Sequence, residues 1–385
     1  MRSISIFGAT GSIGSNTLDL IRRDKTAYRV IALSGAGNIK KLAAQAVEFN
    51  AKIAVTAYED RLEDLQDALR GSGVECAGGA NAIAAAAALP VDWGMSAIVG
   101  AAGLRASMAL ARHGGILALA NKESLVCAGD LLLAECAAHG TRLLPVDSEH
   151  SALFQALNGE NRKALRRLIL TASGGPFKDY TLEQMRGVSP GQAMRHPKWQ
   201  MGERISIDSA SMFNKALEVI EAKYLFGCKP EQIEVVVHPQ AIVHSMVEYI
   251  DNTIISHMGS PDMRGAIGYA LHWPERAINP IAPLDFTHME ALSFSSPDEA
   301  KFPALRLARE ALQLGGHAGV VFNAAKEAAL DAFIARKIGF LDMAGLVEKT
   351  LYNAQIESIR ESAQSSLAQV LAADAEARAL VMENI

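Results

Sequence analysis

The chain has 385 residues, half of them hydrophobic and 21% charged, enough to bury several cores and to exclude a disordered protein. At roughly 100–200 residues per domain, that length predicts two or three domains. The 37 Lys and Arg stand against 42 Asp and Glu, a net charge of −5, and no Lys/Arg block occurs, so no nucleic-acid partner is expected.

A short strand is predicted over residues 4–7 and an amphipathic helix over 13–23. A strand over 28–33, a helix over 38–49 and a strand over 52–56 follow. The alanine run 84–88 is helix-forming filler. Further strands are expected at 97–99, 116–120 and 142–146. Strands alternating with helices predict an α/β domain, a parallel, doubly wound sheet over 1–147. Beyond Asp147 the texture turns α+β. Strands are expected at 168–172 and 233–237, and a hairpin over 241–249 and 253–257 turns at Asp251-Asn252. Residues 277–303 are Pro-rich and lack sustained periodicity, which reads as a linker or crossover. Helical stretches over 303–314, 320–337, 341–354 and 365–382 close the chain as a small bundle. No internal repeat is found.

Cys76, Cys127, Cys136 and Cys228 form no CxxC pair, which argues against a zinc ribbon or dithiol site and fits a reducing cytosol. No uncharged apolar run reaches the ~18–20 residues of a membrane span. A fold beginning near residue 3 leaves no room for a transit peptide. A cytoplasmic protein without a membrane partner is expected.

Gly8, Gly11 and Gly14 lie in Gly8-Ala9-Thr10-Gly11-Ser12-Ile13-Gly14, between the first strand and the first helix. Glycines there admit a pyrophosphate close to the backbone, and the helix N-terminus supplies N–H groups. Thr10 and Ser12 add hydroxyls. A purely structural glycine turn is the alternative. The stretch Ser34-Gly35-Ala36-Gly37-Asn38 after the second strand carries no acid for a ribose 2′-hydroxyl, which favours NADP. Lys40 and Lys41 either neutralise the 2′-phosphate or are solvated helix residues. Asn121-Lys122-Glu123 follows a strand, where such sheets place ligands, though alone it reads as a helix cap.

Asp147 and Glu149, at i and i+2, point to one side if the chain there is extended. Such hard oxygen donors suit Mg²⁺ or Mn²⁺. The competing reading is a helix N-cap with an acidic first turn. Two carboxylates rarely fill a site, and a third candidate lies on 209–224. There Phe213, Leu217, Ile220 and Tyr224 form an apolar stripe, and Asn214 and Glu218 sit one turn apart on another face, beside Lys215. Ser173-Gly174-Gly175 presents N–H groups to an anion, so Ser173, Ser209, Asn214 and Lys215 together would cradle a phosphate. The loop 181–204 carries Gly187, Pro190, Gly191, His196, Trp199 and Gly202. It reads as a lid or as plain surface loop. His238, His244 and His257 lack metal-ligand spacing and read as structural.

The motifs GATGSIG, LANKESLV, PVDSEHSA, TASGGPF, HPKWQMG, DSASMFNKALEVIEA and VHPQAIVHSM, in this order, resemble the 1-deoxy-D-xylulose 5-phosphate reductoisomerase family. The resemblance covers nearly the whole chain. It implies an NADP-dependent oxidoreductase that isomerises 1-deoxy-D-xylulose 5-phosphate and reduces the product to 2-C-methyl-D-erythritol 4-phosphate, for isoprenoid synthesis. The implied protein is a homodimer with a Rossmann-like NADPH domain (1–147), a catalytic domain (148–285, lid 181–204), a linker (286–302) and a C-terminal helical domain (303–385). Asp147, Glu149 and Glu218 would hold the divalent cation. Lys122, Ser148 and Glu149 would meet the reacting end. Ser173, Ser209, Asn214 and Lys215 would take the phosphate, with His196 and Trp199 closing from the lid. Gly8, Thr10, Gly11, Ser12, Ile13, Gly14, Ala36, Gly37, Asn38, Asn121, Glu123 and Gly202 would line the NADPH site. Gly37 departs from the pattern, since a Lys or Arg often stands there. NADPH preference then rests on Ser34, Lys40 or Lys41. A homoserine- or semialdehyde-type dehydrogenase and a non-catalytic NAD(P) sensor are the competing readings. Neither needs the carboxylate triad.

Overall fold

The computed structural model describes residues 1–195, 202–289, 291–361 and 366–385, without the side chains of Ser358 and Glu361. His196 and Trp199 lie outside them. The chain first alternates β1 (Arg2–Phe7), α1 (Ser12–Arg22), β2 (Tyr28–Gly35), α2 (Ile39–Glu48), β3 (Ile53–Thr56), α3 (Leu62–Ala68), β4 (Glu75–Gly78), α4 (Ala80–Ala87), β5 (Trp93–Ser96), α5 (Leu104–Leu110), β6 (Ile116–Leu119), α6 (Glu123–His139) and β7 (Arg142–Pro145). There follow α7 (Ser148–Ala156), β8 (Leu165–Ala172), α8 (Leu182–Arg186), α9 (Pro190–Ala193), α10 (Glu203–Ala210), α11 (Phe213–Phe226), β9 (Ile233–Val237), β10 (Val243–Tyr249), β11 (Ile254–Met258) and α12 (Arg264–His272). Helices α13 (Ala304–Leu314), α14 (Ala318–Ile334), α15 (Asp342–Leu351), α16 (Glu357–Glu361) and α17 (Leu367–Met382) complete it.

These elements form two compact units. The first comprises residues 1–124, 132–151 and 262–281, and the second 125–131, 152–261 and 282–385. This differs from the expected three-part division. α12 belongs to the first unit, where the buried Trp93 indole donates to Ala270 O at 2.9 Å. The central and C-terminal residues share the second unit.

The first unit is built on a seven-stranded sheet in the order β4-β3-β2-β1-β5-β6-β7, every pair parallel. The order reverses at β1, which places the loops after β1 and β5 at the switch point where such sheets bind ligands. β1 and β2 are buried on both faces along most of their length, as strands inside a covered parallel sheet are. The strand expected at 97–99 is instead β5 at Trp93–Ser96. The β-branched run there leaves the sheet toward Gly100, which has φ +80°. β4 escaped the reading because, as a short edge strand, it carries no sustained apolar pattern.

The second unit holds a four-stranded mixed sheet, β11-β10-β8-β9, with β10 antiparallel to both neighbours and β8 parallel to β9. Its turn at Asp251-Asn252 has Asn252 at φ +64°, a conformation asparagine tolerates. One apolar cluster runs from the sheet (Leu168, Leu170, Val235, Val247) through α11 (Leu217, Ile220) to α13, α14 and α17. The C-terminal helices thus share the sheet's core and have none of their own. Phe213 and Phe322 meet there with ring centroids 5.7 Å apart. Residues 181–193 are more ordered than the expected loop. Thr181/Gln184 and Ser189/Gln192 form capping boxes for α8 and α9, and Met185 and Ala193 are fully buried.

Candidate functional site

In the first unit, the turn after β1 is shaped by what glycine lacks. Gly8 has φ +95°, and a Cβ there would lie 2.4 Å from Ala97 O. A Cβ on Gly14 would lie 2.4 Å from Gly8 O and from Ala9 Cα, so α1 packs directly on the turn. Gly11 is the exposed N-cap of α1 and offers no side-chain cap, which leaves the first-turn N–H groups of Ser12 and Ile13 to a ligand. Thr10 is half-buried beside them. The turn leaves backbone N–H groups open to an anion at the switch point.

Ala36, Gly37 and Asn38, expected along the cofactor, are all exposed. Asn38 caps α2 by accepting from Lys41 N–H at 3.1 Å. Of the three residues expected to replace a cation at position 37, Ser34 is buried, and its hydroxyl accepts from Gly8 N–H at 3.0 Å. It braces the glycine turn. Lys41 donates to Thr10 O at 2.8 Å, while Lys40 is exposed on the first turn of α2. A Cβ on Gly37 would meet only the Tyr58 ring, at 3.8 Å. Sequence reasoning missed Tyr58 and the bracing role of Ser34. A polar residue ending an otherwise apolar strand was the available signal for the latter.

Asn121 and Glu123 are buried and turned toward the loop after β5. Asn121 donates to Ile98 O at 2.6 Å, Gly100 O at 2.9 Å and Glu123 at 2.9 Å, and Glu123 accepts from Gly100 N–H at 3.1 Å. Between them, Lys122 is 5% exposed and its ammonium donates to the Asp147 carboxylate. Asp147 does not lie in extended chain with Glu149, as one reading had it. α7 begins at Ser148, Glu149 stands in its first turn, and Glu149 N–H donates to Asp147 Oδ1 at 3.2 Å. The helix wins because Asp147 both caps it and starts its hydrogen bonds, with Ser151 N–H on Asp147 O at 2.8 Å. Ser148 donates to the Glu149 carboxylate. A cation, a hydroxyl and two carboxylates therefore converge at one helix N-terminus.

In the second unit, Gly174 (φ +83°) and Gly175 (φ +68°) turn the chain after β8, and Gly175 N–H donates to the Ser173 hydroxyl at 3.3 Å. A Cβ on Gly175 would lie 3.0 Å from Ser209 O and Ala210 Cα, so this turn abuts the end of α10. Met212, at φ +64°, links α10 to α11. On α11, Asn214 donates to Glu218 at 2.6 Å, and Lys215 is ion-paired with the same carboxylate. Glu218 is fully buried, so this face is no solvated surface. Gly202, expected at the cofactor, is the exposed N-cap of α10 in this unit.

His238 is structural. It donates to Ser293 O at 2.9 Å, accepts from Val243 N–H at 3.2 Å, and stacks on Phe294. His244 lies on β10 beside His257. Burial, and secondly the neighbouring His257, push its pKa from 6.5 down to about 4. A histidine whose folded pKa is depressed gives stability that is present above pH 6.5 and is lost as pH falls toward 4. A loss of about 3 kcal/mol is expected across that window. His244→Gln is expected to flatten it, read from urea midpoints between neutral pH and the acid end of the window.

Among the described residues no helix is long and apolar enough to cross a membrane. Family models described as 1-deoxy-D-xylulose 5-phosphate reductoisomerase, its C-terminal domain, and DXP reductoisomerase C-terminal domain match residues 4–129, 143–226 and 258–380. The 1-deoxy-D-xylulose 5-phosphate reductoisomerase of Ruegeria pomeroyi is 60% identical over 351 residues, covering 91% of this chain and 89% of that protein. A solved structure of the Zymomonas mobilis enzyme in complex with NADPH is 50% identical, covers 100% of this chain and 98% of its own, and has a TM-score of 0.91. A DOX-P reductoisomerase solved with NADPH, fosmidomycin and magnesium is 40% identical, with the same coverage and a TM-score of 0.96.

Proposed function

Because this chain belongs to the 1-deoxy-D-xylulose 5-phosphate reductoisomerase family, we propose that it converts 1-deoxy-D-xylulose 5-phosphate to 2-C-methyl-D-erythritol 4-phosphate with NADPH and a divalent cation, in the cytoplasm. The observation that carries the reading is the glycine turn at the switch point together with carboxylates held by the buried Lys122 and Lys215. The test is NADPH oxidation with that substrate, with and without Mg²⁺ or Mn²⁺. Turnover that is absent, or indifferent to the cation, overturns it.

The residues fit the groups they would hold. Gly8, Thr10, Gly11, Ser12, Ile13 and Gly14 would take the pyrophosphate, since only a side-chain-free turn leaves backbone N–H groups exposed there. Ala36, Gly37 and Asn38 would line the adenosine, with Asn121 and Glu123 shaping the wall and Gly202 approaching from the catalytic end, 148–285. Asp147, Glu149 and Glu218 would be an all-carboxylate donor set of the kind that suits Mg²⁺ or Mn²⁺. A cation held there supplies Lewis-acid polarisation of the substrate's oxygens. Lys122 holds the Asp147 carboxylate in place and supplies a proton donor beside it. Ser148 orients Glu149. Ser173, Ser209, Asn214 and Lys215 would grip the phosphate, a part of the substrate that does not react, so its binding energy is available to order the site. His196 and Trp199 would close the lid over the substrate, excluding water.

Lys40 is left as the cation nearest the 2′-phosphate. Gly37→Lys is therefore expected to tighten NADPH by ~3–10-fold through one more charged contact. NADH is expected to be unchanged in the same fluorescence titration. Equal responses would move Gly37 away from the 2′-phosphate. A homodimer is the assembly we propose. β11 is an edge strand, and Ile250 and Ile254 beside it are 69% and 50% exposed, an unpaired apolar edge of the kind proteins cover. Sedimentation equilibrium is expected to give twice the chain mass, with Ile254→Lys shifting it to monomer.

A further inference from the structure

Helix α10 ends at the proposed phosphate grip and has little of its own to hold it. It spans eight residues and its N-cap Gly202 makes no side-chain cap. A helix this short is set by tertiary contacts. Two ion pairs join it to α14. Arg204 meets Asp331 at the rim, both well exposed. One turn on, Lys326 donates to Asp208 at 2.9 Å, with side-chain exposures of 3% and 10%. The neighbouring Glu327 on α14 accepts from Asn323 at 3.0 Å and Arg378 at 2.6 Å.

The two pairs differ in what they can do. An exposed pair is screened and holds little. A buried pair is weak evidence for stability, because apolar residues of the same volume serve as well, but breaking one side of it leaves an uncompensated charge. Its geometry is demanding, so it fixes position. Asp208 immediately precedes Ser209, and the backbone of Ser209 and Ala210 abuts Gly175. The place of this last turn of α10 sets the gap between Ser209 and the Ser173-Gly174-Gly175 turn. A lone carboxylate one residue from a phosphate ligand would also repel the phosphate, and Lys326 neutralises it.

We propose that Lys326 is a positioning residue: its buried pair with Asp208 sets Ser209 against the Ser173-Gly174-Gly175 turn and so sets affinity for the substrate's phosphate. This rests on the phosphate site assigned above. Neither side chain is asked to touch substrate.

The test compares Lys326→Met, Lys326→Arg and the double variant Asp208→Asn/Lys326→Met. The double variant removes both charges and guards against a single variant that fails to fold. KM and kcat for 1-deoxy-D-xylulose 5-phosphate, affinity for the phosphonate fosmidomycin with NADPH and Mg²⁺ present, and NADPH affinity alone are measured. A displaced phosphate ligand is expected to raise KM and weaken fosmidomycin by ~10-fold or more in both methionine variants. NADPH affinity rests mainly on the other unit's glycine turn, with Gly202 at the far, N-terminal end of α10 its one proposed contact on this helix, so it is expected to stay within twofold, and Lys326→Arg to recover most of the loss. A folded double variant with wild-type KM and fosmidomycin affinity overturns the proposal, as does equal weakening of NADPH. A wild-type chain that neither turns over nor binds fosmidomycin overturns the functional reading itself, and with it this inference.

Discussion

Glu218→Gln is expected to lower turnover by ~10³-fold or more, the scale set by removing a group that stabilises developing charge. Glu218 is fully buried and accepts from Asn214 and Lys215, both one turn earlier on the same helix. The amide keeps the size of the side chain and loses its charge. Lys215 then stands buried without its carboxylate, which costs about 3–5 kcal/mol when one partner of such a pair is removed. The variant is therefore expected to melt earlier as well. NADPH titration separates the two effects. The glycine turn that takes the cofactor belongs to the other unit, so its affinity is expected to be unchanged at temperatures where the variant is folded. Near-normal turnover would remove Glu218 from the metal set.

Gly8→Ala is expected to abolish NADPH binding and to destabilise the first unit. The residue sits at φ +95°, and a Cβ would lie 2.4 Å from Ala97 O, a backbone atom that cannot swing away. Strain and overpacking together cost about 2–4 kcal/mol. Gly11→Ala is the control, since its Cβ would meet only Gly8 O, at 3.3 Å. Thermal unfolding is expected to show a large drop for the first and a small one for the second. Equal drops would mean that the turn tolerates a side chain, and that its glycines are not there for a close approach.

Much of this was legible in the sequence. Alternating strands and helices pointed to the parallel sheet, and Gly8 to Gly14 marked the tight turn between β1 and α1. What escaped had local physical reasons. For Asp147 and Glu149 an extended one-sided pair and a helix N-cap both stood open, and the cap prevailed because capping fixes the backbone. The strand at Trp93–Ser96 was displaced onto the next β-branched run because Gly94 weakens its pattern. A Cβ on Gly94 would lie 2.4 Å from Leu110 Cδ2, so the strand and α5 pack closely there. The return of α12 to the first unit and the shared core of sheet and C-terminal helices are long-range packing, which no local period encodes. The Asp208–Lys326 pair joins residues 118 apart in sequence, and neither residue looks unusual in its own helix.

The carbon skeleton of the product tests the central claim most directly. 1-Deoxy-D-xylulose 5-phosphate incubated with the protein, NADPH and Mg²⁺ is expected to give a branched product, 2-C-methyl-D-erythritol 4-phosphate, identified by its methyl group on a carbon without hydrogen in the NMR spectrum. Rearrangement must precede reduction; Asp147, Glu149 and Glu218 would hold the cation, and Ser173, Ser209, Asn214 and Lys215 the phosphate. An unbranched 1-deoxypentitol phosphate, formed by simple reduction of the ketone, would contradict it.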